Sequence, residues 1–261
     1  LIVSRSSIRT GEVEKEEFIR GRLLQPFHKI SERAAALSRS TPKQIFWGGL
    51  YLPDTLSTSH FLVCGATGSG KTITLRLLMQ SVLPQITPNS DTRALVYDAK
   101  QDVLSIIHGM QLEAPIVILN PFDSRSAAWD MAADITSPGA AQQLARILIP
   151  ENKRSPQPYF SDAARQILKG VILTFMQRFP GSWTFRDVVL ALKSKEVLIQ
   201  LFRSCPDTEG LCRHFDNTLT GQNVMATIVS HMEPYEIVAS LWHHTSSKVS
   251  LEDWVKSNFI L

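Results

Sequence analysis

Residues 65–72 read Gly-Ala-Thr-Gly-Ser-Gly-Lys-Thr, and this stretch decides the fold. It matches the pattern Gly-x-x-x-x-Gly-Lys-Ser/Thr, in which the backbone N–H groups of a glycine-rich loop surround a phosphate. We expect Gly65, Gly68 and Gly70 to adopt positive φ angles, so that consecutive N–H groups can point inward. The pattern therefore predicts a phosphate-binding loop for a nucleoside triphosphate.

Two side chains of the loop have predicted roles in chemistry. The ammonium of Lys71 would lie against the β- and γ-phosphates of ATP, and the Thr72 hydroxyl is a suitable ligand for the accompanying Mg²⁺. We therefore expect Lys71 and Thr72 to take part in catalysis. The residues expected to contact the nucleotide are Gly65, Ala66, Thr67, Gly68, Ser69, Gly70, Lys71, Thr72 and Ile73.

The segments on either side have the order strand, loop, helix. The apolar run at residues 60–64 is typical of a strand that is buried on both faces, and it would place Cys64 in the core. After the loop, apolar residues recur at helical spacing until Pro84 ends the segment. The phosphates would then lie at a helix N-terminus, where the helix dipole favours negative charge.

Length, composition and net charge exclude few classes of function. The chain has 261 residues and a formal net charge of +3, which neither supports nor excludes binding to nucleic acid. No segment approaches the roughly 18 consecutive apolar residues of a membrane span, so we expect a soluble chain. The three cysteines contain no C-x-x-C pair, which favours a reducing compartment.

The order of the patterns predicts an α/β fold, with a RecA-like P-loop nucleotide-binding domain that an all-α domain interrupts. Strand-like runs at 94–97 and 116–119 flank a helical stretch, as in a parallel sheet. From 126 onward the patterns are helical, with no strand-like alternation. The predicted parts are a connecting segment (1–43), the first half of the nucleotide-binding domain (44–125), the all-α domain (126–250) and a return toward the nucleotide-binding domain (251–261).

Asp98 is a further candidate for the nucleotide site, because it ends the strand-like run 94–97 in the manner of a Walker B aspartate. The alternative is a helix N-cap or an acidic loop residue.

Arg125 also has two interpretations. It could be an arginine finger that acts on the γ-phosphate of a nucleotide bound to a neighbouring subunit, or a structural residue that pairs with an acidic side chain. Arg165 and Arg213 are further finger candidates. Three tryptophans are more simply interpreted as core or domain-contact residues: Trp183, Trp242 and Trp254.

Together these pieces resemble the coupling proteins of type IV secretion and conjugation, which are related to the FtsK and HerA motors. The matching elements are Arg20-Gly21-Arg22, the loop 65–72, the segment 96–102 (Val-Tyr-Asp-Ala-Lys-Gln-Asp), and the segment 119–125 (Leu-Asn-Pro-Phe-Asp-Ser-Arg) followed by Trp129. Gln101 stands where the family usually has glycine. The last element makes the resemblance specific, because the phosphate loop alone is generic.

The resemblance implies a motor that uses ATP hydrolysis to transfer DNA to a secretion channel. Its partners would be single-stranded DNA bound without sequence preference, the relaxosome or a secreted protein, and secretion-channel proteins. It would form a homo-hexamer at the cytoplasmic face of the bacterial inner membrane. The resemblance also implies transmembrane helices upstream and a Walker B Asp-Glu pair after the all-α domain, so we expect a fragment that binds ATP but turns it over poorly alone.

Two alternatives remain open at this point. The protein could be a docking platform for secreted proteins in which nucleotide controls assembly, or a DNA-pumping ATPase of the FtsK or HerA type outside secretion. DNA-stimulated ATP turnover would argue against the docking platform.

Overall fold

The computed structural model describes residues 25–39, 41, 43–87, 90–151 and 158–261. The chain divides into two compact units, the first of which ends at Gln85 and the second of which begins at Ile86. The Arg20-Gly21-Arg22 element lies outside the described residues. The predicted domain boundaries stay a prediction.

The first unit contains a β-hairpin and the helix that follows the phosphate loop. Its elements are α1 (Phe27–Ser38), β1 (Gln44–Trp47), β2 (Leu50–Pro53), a 3₁₀ turn (Asp54–Thr58), α2 (Lys71–Val82) and a second 3₁₀ turn (Leu83–Gln85). The strands are antiparallel, and the turn between them has φ angles of 59° at Gly48 and 85° at Gly49. Two consecutive positive φ angles suit the right-handed twist of a tight hairpin, so the Gly-Gly pair explains why the chain turns here.

Helix side chains occupy both edges of this hairpin. On the β1 edge, the Phe46 N–H donates to the Ser81 hydroxyl of α2 at 3.0 Å, and Gln85 donates to the Gln44 carbonyl at 2.6 Å. On the β2 edge, the Ser38 hydroxyl at the end of α1 donates to the Tyr51 carbonyl at 2.9 Å. These bonds fix the C-terminal end of α2 and the turn after it to the β1 edge of the hairpin, and the end of α1 to the β2 edge.

The predicted buried strand at residues 60–64 is wrong for this structure. The segment has no regular secondary structure, Leu62 is 83% exposed, and Cys64 is exposed and therefore not a core residue. A central strand obtains its burial and its ladder hydrogen bonds from strands on both sides. Among the described residues of this unit, the strands are β1 and β2, and they pair with each other.

Three short parallel segments form the sheet portion of the second unit, with Ile260 in the middle. Ala94 and Ile116 each form a parallel bridge with Ile260. The N–H groups of Val96 and Val117 donate to Leu261 O and Ile260 O, both at 2.8 Å. Parallel pairing is present as predicted, but as single bridges and not as full strands. Helix α3 (Leu104–Gly109) lies between the outer segments in sequence, close to its predicted place.

Helices make up most of the remaining chain. They are α4 (Met131–Asp134), α5 (Pro138–Leu148), α6 (Pro158–Arg178), α7 (Phe185–Ala191), α8 (Lys195–Arg203), α9 (Pro206–Glu209), a 3₁₀ segment (Gly210–Phe215), α10 (Thr218–His243) and α11 (Leu251–Val255). Helix α6 is central, because Ile167, Leu168, Val171 and Ile172 are completely buried. We refer to residues 131–243 as the helical body.

Local sequence explains where these helices begin. A capping box is present at α7, where Thr184 and Asp187 satisfy each other's backbone N–H groups. Side chains of Ser137, Ser194 and Asn217 accept from N–H groups at the starts of α5, α8 and α10. Gly170 of α6 is a packing requirement, since an added Cβ would overlap the Leu211 side chain.

The chain segments that enter and leave the helical body (the entrance side and the exit side) pair with each other, which the sequence did not predict. Strand β3 (Ala128–Trp129) pairs in parallel with β4 (Lys248–Val249), whereas no strand was expected between 126 and 249. The Asp134 carboxylate accepts hydrogen bonds from Trp129 on the entrance side, and from the Ser250 hydroxyl and the N–H groups of Leu251 and Glu252 on the exit side. We call this arrangement the Asp134 clasp.

Within the part of the chain that the structure describes, no helix is long and apolar enough to span a membrane.

Candidate functional site

The phosphate loop of residues 65–72 leads directly into α2. Gly68 and Gly70 have φ angles of 80° and 86°, and a Cβ at either position would meet no atom within 4 Å. Their requirement for glycine is therefore conformational. Gly65 does not adopt a positive φ, which corrects the expectation for that residue. Its requirement is steric, because an added Cβ would overlap the Ser69 hydroxyl.

This contact gives a prediction for Gly65→Ala. The methyl group would push the Ser69 side of the loop outward and misalign the N–H groups, so we expect the Kd for Mg²⁺-ATP to rise about tenfold or more. The double variant Gly65→Ala/Ser69→Gly, which restores the space, should bind more tightly than the single variant in isothermal titration calorimetry. Wild-type affinity in Gly65→Ala would contradict this account of the loop.

The Lys71 ammonium lies inside the loop. Its Nζ donates to Gly65 O at 2.9 Å and to Ala66 O at 2.6 Å, and an ammonium has three N–H donors. The two carbonyls thus hold the charge at the mouth of the loop while leaving a donor for a ligand oxygen. The sequence predicted the charge at this place but not its backbone partners.

The N-terminus of α2 is suited to an anion. Gly70 is the N-cap, no side chain among the described residues caps this end, and the first turn has no acidic residue. The first N–H groups of the helix are then available to a ligand, and the helix dipole adds to their attraction for negative charge. Thr72 and Ile73 are exposed. The loop and this helix end therefore present an ammonium, several N–H groups and a hydroxyl on one exposed surface.

Asp98 belongs to the second unit. Its carboxylate accepts from the Val103 N–H at 2.8 Å and from the Lys100 N–H at 3.3 Å, so it caps the turn before α3. This is the alternative that the sequence left open, namely a capping or loop acid. A nucleotide contact for Asp98 stays a prediction.

Gln101 in the same loop has a φ angle of 59°, a left-handed conformation that glycine adopts most easily, and glycine is what the resemblance implies at this position. A left-handed conformation costs a residue with a Cβ about 1–2 kcal/mol, partly offset by the larger backbone entropy that glycine loses on folding.

We predict that Gln101→Gly raises the free energy of unfolding, measured in urea titrations, by about 0.5–1 kcal/mol. Gln143→Gly, the same change on the exposed face of α5, should lower it by about 1 kcal/mol; a destabilised Gln101→Gly would contradict the argument.

The arginine-finger candidates differ in what they contact. Arg125 forms a two-point pair with Asp123, with Nη2···Oδ2 at 2.7 Å, and its side chain is 59% exposed. This hydrogen-bonded pairing lowers the pKa of Asp123 to about 2. Arg165 is buried and bonded to Asp162 and to Ile149 O, which makes it structural. Arg213 is exposed.

The tryptophans agree with their interpretation as packing residues. Trp183 is buried in the core and Trp242 packs against it, while the Trp254 indole donates to Phe259 O at 3.2 Å. Among the described residues, no group of three or more His, Cys, Asp or Glu side chains could hold a metal ion.

The fold and this loop define a RecA-like P-loop nucleotide-binding protein whose sheet portion is interrupted by a helical region. The chain belongs to the family described as the type IV secretion-system coupling protein DNA-binding domain, whose model matches residues 44–259. The resemblance seen in the sequence is thereby confirmed.

Solved structures of the plasmid coupling protein TrwB have the same fold. The complex of TrwB with ADP and Mg²⁺ has a TM-score of 0.64 at 19% identity, over 88% of this chain and 52% of TrwB. The complex with the ATP analogue ADPNP has a TM-score of 0.66 at 19% identity, over 96% of this chain and 57% of TrwB. The chain thus spans about half the length of these structures.

Two DNA translocases named FtsK are similar over a shorter stretch. The protein from Streptomyces avermitilis is 35% identical over 74 residues, and that from Streptomyces coelicolor is 34% identical over 74 residues. In each case the match covers 28% of this chain and 8% of the relative.

Proposed function

We propose that this chain is the ATP-binding portion of a coupling-protein motor, which uses ATP hydrolysis to transfer DNA to a type IV secretion channel. The observation that carries the proposal is the Lys71 ammonium held inside a glycine-rich loop at the uncapped N-terminus of α2. The family match supports DNA as the partner, and the ADP and Mg²⁺ held by TrwB support the choice of ligand.

The residues at the loop fit Mg²⁺-ATP. The remaining N–H donor of Lys71 would lie against the β- and γ-phosphate oxygens, and the N–H groups from Gly68 to Thr72 would surround the β-phosphate. The exposed Thr72 hydroxyl would be a ligand of Mg²⁺, which neutralises charge on the phosphates when it is bound. Ala66, Thr67 and Ile73 would line the nucleotide, and Asp98 would act close to it.

The finer parts of the proposal concern the oligomeric assembly of the protein and its location in the cell. A homo-hexamer with head-to-tail contacts would place a nucleotide at each interface, where Arg125 or Arg213 of one subunit could approach the phosphates of the next. The protein would work at the cytoplasmic face of the inner membrane with channel proteins, and with the relaxosome or a secreted protein as cargo. Domain boundaries at residues 43, 125 and 250 belong to this proposal.

The test is ATP turnover by the purified full-length protein that contains this chain, measured with and without single-stranded DNA. We expect turnover that DNA stimulates. Nucleotide binding without any DNA-dependent turnover would contradict the motor.

A second candidate function is a docking platform for secreted proteins, with nucleotide controlling assembly. The observation that favours it is the exposure of apolar side chains along α10, namely Leu219, Val229, Ile237 and Leu241. Tight binding of a secreted protein, with turnover that does not respond to DNA, would support this candidate over the motor.

A further inference from the structure

The first unit has a surface cavity between the hairpin and the second half of α2. Its volume is about 520 Å³, which is within the range of sites that hold small organic ligands. On α2 its lining begins at Leu77, which lies about 9 Å along the helix axis from Lys71. Because no residue of the phosphate loop lines it, the cavity is a separate site.

Hydrogen bonds within the unit hold several of the lining side chains in place. The Gln85 amide donates to the Gln44 carbonyl at 2.6 Å, and the Gln44 amide donates to the Ser38 carbonyl at 3.2 Å. The Ser81 hydroxyl accepts from the Phe46 N–H at 3.0 Å. A wall that is already ordered loses little conformational entropy when a ligand binds.

Aromatic and aliphatic side chains of the same lining are open to solvent. Phe46 and Tyr51 are a cross-strand pair, and the centroids of their rings lie 5.1 Å apart. Tyr51 is 58% exposed and Leu77 is 42% exposed. A flat apolar ligand would remove this surface from water, which is favourable.

Two polar side chains of the lining are available to a ligand. These are the Lys43 ammonium and the Gln80 amide, which have no hydrogen-bond or ion-pair partner among the described residues. An ammonium offers three N–H donors, and an amide offers both donors and an acceptor. The cavity therefore combines an apolar surface with one unpaired positive charge.

The charge of the surrounding unit favours an anion over a cation. The part of this unit that the structure describes (25–39, 41 and 43–85) contains six lysine or arginine side chains but only two carboxylates, those of Glu32 and Asp54. Neither carboxylate lines the cavity. The summed potential at Lys43 is therefore positive.

We propose that this cavity binds a small organic anion, namely a flat aromatic ring that bears a carboxylate or a phosphate group. The ring would lie against Tyr51 and Leu77. The acid group would accept from Lys43, and the Gln80 amide would bond to a polar atom at the edge of the ring. The inference goes beyond the proposed function, because it uses none of the residues assigned to the nucleotide.

The test is a fluorescence titration of the whole chain with anilinonaphthalene sulfonate, an aromatic anion that binds exposed apolar surface. Lys43→Gln should raise the Kd of this probe about tenfold, because a charge-assisted hydrogen bond is lost. The matched control is Lys29→Gln, which removes a positive charge from the exposed side of α1 in the same unit. It should bind the probe like the wild type.

The apolar wall is tested in the same titration. Tyr51→Ala should raise the Kd of the probe about fivefold, because the ring contact is lost. Leu62→Ala is the control, since Leu62 is 83% exposed in the same unit but outside the cavity. If Tyr51→Ala lowered the melting temperature, Lys43→Gln would decide the question, because the Lys43 ammonium makes no hydrogen bond within the described residues.

Competition identifies the acid group. Naphthoate and naphthyl phosphate should both displace the probe, and the tighter competitor shows whether the site prefers a carboxylate or a phosphate. Naphthol, which has the same ring without the acid, should compete about tenfold more weakly. Equal displacement by naphthol would overturn the assignment of an anion.

The outcomes separate this inference from the proposed function. Equal probe affinity in Lys43→Gln and Lys29→Gln would overturn the inference and leave nucleotide binding standing. Displacement of the probe by Mg²⁺-ATP in the wild type but not in Lys71→Ala would place the probe at the phosphate loop, and would overturn it too. Probe binding that depends on Lys43 and resists Mg²⁺-ATP would support it, even if ATP turnover did not respond to DNA.

Discussion

Lys71→Ala should raise the Kd for Mg²⁺-ATP about 100-fold, since the remaining N–H donor of the lysine would make one charge-assisted hydrogen bond of about 1.5–3 kcal/mol, and the attraction of the ammonium to the phosphates is lost as well. The fold should survive, because the hydrogen bonds that Nζ makes within the described part of the chain go to Gly65 O and Ala66 O in an exposed loop. Alanine is also favourable at the start of a helix such as α2.

A thermal-shift experiment measures this effect. At 100 times its Kd, Mg²⁺-ATP should stabilise the wild type by about 2.7 kcal/mol, and the same concentration should leave Lys71→Ala almost unshifted. Lys29→Ala, on the exposed side of α1 in the same unit, is the control for loss of a positive charge and should shift like the wild type. An unchanged melting temperature of the wild type with saturating nucleotide would refute nucleotide binding.

Asp134→Ala should lower the free energy of unfolding by about 3–5 kcal/mol, because the clasp loses four hydrogen bonds to a charged acceptor. The Trp129 indole and the Ser250 hydroxyl donate at 2.5 Å, and the N–H groups of Leu251 and Glu252 donate at 2.8 and 3.1 Å. Ser250 is buried, so its hydroxyl would lose the acceptor to which it donates and keep only the bond that it accepts from the Asp253 N–H, whereas the exposed Glu252 N–H could turn to water.

Urea unfolding followed by the helical circular dichroism signal is the measurement. Asp207→Ala is the control, since that exposed carboxylate accepts one side-chain hydrogen bond, from Gln177, and its loss should cost less than about 1 kcal/mol. If Asp134→Ala were no less stable than Asp207→Ala, the role assigned to Asp134 would be contradicted.

The clasp also predicts a pH dependence. Burial raises the pKa of Asp134, but the hydrogen bonds from Ser250, Trp129, Leu251 and Glu252 outweigh it and lower the pKa. A lowered folded-state pKa means that the contribution to stability is present above the unfolded value of about 3.9 and is lost as the pH falls through the folded pKa. The stability advantage of the wild type over Asp134→Asn should therefore be constant at neutral pH and shrink below about pH 4; an advantage that grows on acidification would contradict this.

Local patterns in the sequence were sufficient for the helical body and for the loop. The capping box at Thr184 and Asp187 uses residues three apart, and the helix after Gly70 follows from periodic apolar residues and Pro84. The hairpin turn at Gly48 and Gly49 is similarly local. In each case the stabilising partners lie within a few residues of each other, so composition and spacing identify them.

Patterns that depend on distant partners were predicted poorly. The run 60–64 has the composition of a buried strand, yet strand formation requires neighbours that composition does not supply. The constraint on Gly65 was missed although Ser69 is only four residues away, because the motif does not show which side chain folds back over the loop.

The sequence by itself determined that this chain has a phosphate-binding loop at the start of a helix, because the motif and the helix signals are contained in residues 65–84. Only the tertiary structure decided that Asp134 joins the two ends of the helical body, since its exit-side partners are 116 to 118 residues away. It also decided that Tyr97 and Phe122 share one edge, because Ile260 pairs with both segments. Such contacts depend on chain topology, and a linear pattern contains no information on which distant segments meet.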